Sequence, residues 1–125
     1  VYNYLRLKRG RNKMKKINGS EKQIAWAEEI RNTFLNGIVR QNICIDEGVN
    51  QIIKFKQAQI DSDNKELSTE LDESEVTEIR EEIAIYIAEL NNFVALKNKI
   101  ENESSAKWFI DNRMNNHTLF CKYNK

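Results

Sequence analysis

VTEIREEIAIYIAELNNFVALKNKI, residues 76–100, decides the fold. Apolar side chains recur at Val76, Ile79, Ile83, Tyr86, Ile87, Leu90, Phe93, Val94 and Ile100. Steps of three and four are the period of an amphipathic helix, whereas a strand would alternate. The β-branched residues lower intrinsic helix propensity, so packing must hold this helix in place. Asp72 followed by Glu75 is a capping signal, which predicts a helix over 73–102. At ~1.5 Å per residue it would be ~45 Å long. A compact domain of 100 residues has a radius of gyration of ~13 Å, so an elongated molecule is expected.

The other long apolar-periodic stretch runs from Ile24 to Ile60. It opens on Gly19-Ser20-Glu21-Lys22-Gln23, where Ser20 and Gln23 have capping-box spacing. Ile24, Ala27, Ile30, Phe34 and Ile38 mark one face, with Trp26 off it. Asn36-Gly37 can end the helix, since Gly is favoured just past a C-terminus. The apolar pattern resumes at Ile38, Ile45, Val49, Ile52, Ile53 and Ile60. We therefore expect helices over 20–36 and 38–60, kinked or broken at Gly37, with one continuous helix as the alternative because an isolated Gly costs only ~1 kcal/mol. The second would pair with 73–102 as an antiparallel arm joined by residues 61–75. Ile79, Ile83, Ile87, Leu90 and Val94 should then be buried against Ile45, Val49, Ile52 and Ile53. Ser104-Ser105 predicts a last helix over 106–114, followed by a polar coil.

The absence of Pro and the scarcity of Gly in 125 residues agree with helices throughout. The fold class predicted is all-α: an elongated antiparallel helical hairpin with a short-helix head, three to four helices, in one domain over 14–125. Cys44 and Cys121 fit a reducing, cytoplasmic setting better than a disulfide framework. No run reaches the ~20 apolar residues of a membrane span.

The net charge of +1 hides a segregation. Residues 1–13 carry Arg6, Lys8, Arg9, Arg11 and Lys13 with no acid, and Lys15 and Lys16 follow. Residues 61–82 carry ten acids and two bases. The basic stretch would attract nucleic-acid phosphates with strong salt dependence. A nucleic-acid-binding accessory protein is therefore the alternative function. Lys8 to Lys13 before Met14 also back-translates to a purine-rich tract and spacer ahead of a start codon. Residues 1–13 are thus either a basic tail or an upstream extension. The acidic stretch is a solvated helix start, or a mimic of a phosphate backbone.

Catalytic and metal signals are thin. His117 stands alone, without cysteines at ligand spacing, and no Gly-rich phosphate loop exists. Glu28-Glu29 and Glu81-Glu82 suit solvated helix faces better than acid–base pairs. We expect no enzyme activity, no metal and no cofactor.

Two motifs stand together: GSEKQIAWAEEIR at 19–31 and SAKWFIDNR at 105–113. The pair resembles a module of small proteins in Gram-positive bacteria, their phages and conjugative plasmids. The resemblance covers only about 22 residues and supplies no catalytic residues. It implies a mobile-element setting, in which small proteins bind and block host proteins such as defence-system components.

If the arm is a hairpin, the two motif helices meet at its open end, because consecutive elements usually neighbour in space. Trp26 and Trp108 would then lie close, with Arg31, Asp111, Asn112 and Arg113 around them. Aromatic and Arg side chains are enriched at binding hot spots. These six residues are the predicted protein-binding site. The long apolar stripe further suggests a homodimer, two arms completing one bundle.

Overall fold

The computed structural model describes residues 14–114. The described residues form four helices: α1 (Glu21–Asn36), α2 (Val49–Leu67), α3 (Glu73–Asn102) and α4 (Ala106–Asn112). A short antiparallel ribbon, β1 (Ile38–Arg40) with β2 (Ile43–Asp46), lies between α1 and α2. The architecture is the predicted all-α one, an antiparallel arm of α2 and α3, with α1 and the short α4 packed together as a head. The sequence signals at the helix starts correspond to real caps. Ser20 and Gln23 form a complete capping box. The Asp72 carboxylate accepts from the Glu75 N–H at 2.8 Å, and Ser105 accepts from the Trp108 N–H.

The helix expected over 38–60 is a correction. Residues 38–46 form the ribbon, and the helix starts only at Val49. Gly37 ends α1 at φ 73°, ψ −168°, a conformation essentially confined to Gly. Ile38, Val39, Ile43 and Ile45 are β-branched and suit a pleated ribbon. Gln41 and Asn42 both take positive φ, as the mirror-image two-residue turn of a hairpin requires. A Cβ at Gly37 would lie 2.0 Å from the Asp46 carbonyl oxygen, and one at Gly48 would lie 2.4 Å from the Gly37 nitrogen. The two glycines therefore let the ends of the ribbon close on each other.

The arm is a coiled-coil-like pair. Along one seam of α2, buried or half-buried residues recur at Val49, Ile53, Lys56, Ile60, Asp63 and Leu67, alternating steps of four and three. The matching series on α3 is Val76, Ile79, Ile83, Tyr86, Leu90, Phe93, Lys97 and Ile100, with Leu96 buried outside it at the head. This spacing keeps one seam of each helix facing the other. The seam has polar members: Lys56 donates to Glu89 at 2.6 Å and lies over the Tyr86 ring. Asp63 is buried.

The predicted arm core is corrected in detail. Val49 is buried, and Ile52, Ile53, Ile79, Ile83 and Leu90 are half-buried. Ile45, Ile87 and Val94 are exposed. Ile45 belongs to the ribbon, and Ile87 and Val94 point off the seam. The main core sits at the head instead. There Phe93, Leu96 and Ile100 of α3 meet Ala27, Ile30, Phe34 and Leu35 of α1, Val49 of α2, and Ala106 and Phe109 of α4. Ile17, from the segment preceding α1, joins them.

Candidate protein-binding head

The head forms because α3 ends where the chain must turn back. Its exposed carbonyls need partners, and residues 15–18 bond to one of them and to the chain just past the helix. Lys15 N–H donates to Glu101 O and Asn18 N–H to Ser104 O, both at 2.7 Å. Ala106 N–H donates to Asn18 O in return. α4 then lies against α1. Phe34 contacts Phe109 at 6.3 Å between centroids and meets Trp108 edge-on at 6.4 Å. Trp108 also meets Phe109 edge-on at 5.1 Å.

The two tryptophans therefore share the head but have different surroundings. Trp108 is half-buried in the aromatic group, with the Lys99 ammonium 5.0 Å above its ring. Trp26 is 45 % exposed. Its ring lies 5.0 Å from the Arg113 guanidinium, a cation–π contact. Arg113 is held in place by a bond from its Nη1 to the Ile110 carbonyl. Trp26 and Arg113 border an open cavity of about 240 Å³, completed by Glu29, Ile30, Thr33 and Phe34.

The remaining predicted site residues do not gather there. Arg31 is half-buried and donates to the Lys15 carbonyl at 2.7 Å, strapping the N-terminal segment to α1. It lines a separate cavity with Met14, Glu28, Asn32, Leu35 and Asn36. Asp111 pairs with Lys107 one turn earlier on α4. Asn112 donates to the Trp108 carbonyl within the same helix. The expected rim of Arg31, Asp111 and Arg113 is thus replaced by one Trp–Arg pair. Glu29 and Thr33 are the residues that sequence reasoning missed. They lie three and seven positions after Trp26, on the same helix face.

Burial pushes the Glu103 carboxyl up, but the Lys99 ammonium and the Ser105 and Ser104 amides outweigh it, so the net shift is down. At the far tip, backbone donation from Glu75 holds the Asp72 carboxyl down. A side-chain hydrogen bond with Asp72 and the nearby Asp72 charge push the Glu75 carboxyl up, against the backbone contact. Within the arm, burial and the neighbouring Glu82 push the Tyr86 hydroxyl up.

Of the predicted nucleic-acid-binding residues, Lys15 and Lys16 are exposed. Arg6, Lys8, Arg9, Arg11 and Lys13 lie outside the described residues, as do His117 and Cys121. Among the described residues, no three His, Cys, Asp or Glu side chains come together as a metal site. None of the described helices is long and apolar enough to cross a membrane. Comparison with known proteins found no matching family model, no matching curated protein and no matching solved structure.

Proposed function

We propose that this chain is a non-enzymatic interaction protein that captures another protein with its head. The observation that carries this reading is the exposed Trp26 ring under the Arg113 guanidinium, beside an open cavity. A large flat side chain held in place by a cation loses little entropy when a partner covers it, and Trp and Arg dominate measured hot spots. Glu29 and Thr33 at the cavity wall supply acceptors for a partner's polar groups. The resemblance of residues 19–31 and 105–113 to a mobile-element module supports a bacterial or phage setting. A host protein, such as a component of a defence system, is the corresponding class of partner.

The test is capture from a bacterial host lysate by the immobilised full chain, followed by the same capture with variants. Trp26→Ala and Arg113→Ala should each reduce recovery of the captured protein at least tenfold, while the melting temperature changes little. Arg31→Ala should do the reverse, losing about 1 kcal/mol of stability with its hydrogen bond and leaving capture intact. Recovery that ignores Trp26→Ala overturns the reading. Salt-sensitive recovery of DNA or RNA in place of protein favours the basic segment of Arg6, Lys8, Arg9, Arg11, Lys13, Lys15 and Lys16.

A further inference from the structure

Residues 83–96 of α3, IAIYIAELNNFVAL, carry a single charge, Glu89. Glu89 faces α2, where it pairs with Lys56, and a helix largely apolar over the rest of its circumference belongs in an interior. α2 covers only one side of this stretch. On the other side Ala84, Ile87, Ala88, Asn91, Val94 and Ala95 are all exposed, and their spacing of three and four places them on one face. Ile87 is 43 % and Val94 38 % exposed. A pair of helices with a second apolar face is half of a bundle.

We propose that a second copy of this chain covers this face, with the two α3 helices antiparallel about a two-fold axis near Asn91. Charge fixes the direction. The tip half of the arm, residues 59–87, carries ten acids against two bases. The root half, residues 49–58 and 88–102, carries four bases against two acids. Parallel arms would stack tip on tip and repel. Antiparallel arms set each acidic tip against the other copy's root, which complementary interfaces require.

Shape fixes the register. With Asn91 on the axis, Ile87 of one copy meets Ala95 of the other, and Ala88 meets Val94. Each branched side chain therefore faces a methyl group, which lets the helices approach closely. Asn91 meets its own copy, and an amide can both donate to and accept from an identical amide. Such a contact is isologous, so it closes at two copies. It lies on α3 away from the Trp26–Arg113 pair, and it stands or falls independently of partner capture.

Sedimentation equilibrium of the full chain should give a dimer that weakens as salt rises. Ala88→Arg and Val94→Glu, both at exposed positions, should each raise its dissociation constant at least tenfold with helix content unchanged by circular dichroism. Direction is read separately, by a spin label on Ser74→Cys in a Cys44→Ser, Cys121→Ser background. Ser74 lies 17 positions from Asn91, so antiparallel pairing separates the two labels by about 50 Å at ~1.5 Å per residue. Parallel pairing would bring them within about 20 Å, the interaxial distance plus the labels. A monomer at every concentration, a dimer indifferent to both variants, or the short distance each overturns the proposal.

Discussion

At its C-terminal end, α3 buries Phe93, Leu96 and Ile100 among side chains from α1, α2, α4 and the segment before α1. Toward its N-terminal end the same helix leaves Ile79, Ile83 and Leu90 half-buried against α2 alone. The sequence is no less apolar in the second region. What differs is the number of neighbours, since one helix can shield only part of another's circumference. Burial in this chain is thus set by how many segments converge, and four converge on α3 only at the head.

Core truncations give the largest test of that contrast. Phe109 is fully buried, and Phe109→Ala should cost about 3–5 kcal/mol in chemical denaturation, through lost transfer energy and a cavity. Leu90→Ala is an equally large apolar deletion for its size, yet Leu90 is half-buried and solvent can fill the space left. We expect about 1–2 kcal/mol, below the usual range for a buried Leu. Equal losses at the two sites would mean that the arm is as well covered in solution as the head.

The neck between the regions offers a second test. Gly37→Ala forces a side chain into a conformation costing about 1–3 kcal/mol. It also drives a Cβ to 2.0 Å from the Asp46 carbonyl oxygen. We expect a loss of roughly 2–4 kcal/mol by urea titration, within the range of severe single substitutions. A neutral outcome would show that the ribbon and the start of α2 can move away from α1 without loss. The neck would then be a hinge between head and arm.

The same contrast explains what was legible in the sequence. Caps depend on residues three apart, so Ser20–Gln23, Asp72–Glu75 and Ser105 mark their helix starts without tertiary information. The seam of α3 was legible for the same reason. The ribbon was not, because Ile38, Ile45, Val49 and Ile52 happen to fall at helical steps and the turn, Gln41-Asn42, lacks the usual Gly. The signal that was present is the β-branched run between Gly37 and Gly48, too short for a helix of its own. At the head, the pairing of the two motif helices followed from hairpin topology. The fate of each polar side chain did not. Arg31 binds a backbone carbonyl 16 positions away, and Arg113 lies on a ring from another helix. Such contacts depend on where segments converge, which local pattern does not encode.

The smallest expected effect compares one ion pair from each region. Lys107–Asp111 in the head spans one turn of α4, with side chains 82 % and 53 % exposed. Lys56–Glu89 in the arm links α2 to α3 across the seam, with side chains 18 % and 21 % exposed. Water and salt screen the first pair, and an exposed pair of this spacing contributes about 0.3–0.5 kcal/mol. The second pair is shielded by the helices it joins, and Lys56 also lies over the Tyr86 ring. Breaking one partner there leaves a poorly solvated charge, and a coupling of about 1–2 kcal/mol is expected, between the exposed and fully buried extremes. Double-mutant cycles with Lys107→Ala and Asp111→Ala, and with Lys56→Ala and Glu89→Ala, measure both. The order matters more than either value, because the arm, the less buried region in its apolar seam, should hold the stronger ion pair. A coupling at Lys56–Glu89 no larger than that at Lys107–Asp111 would mean that the arm opens to water in solution. Its register would then rest on the apolar seam alone.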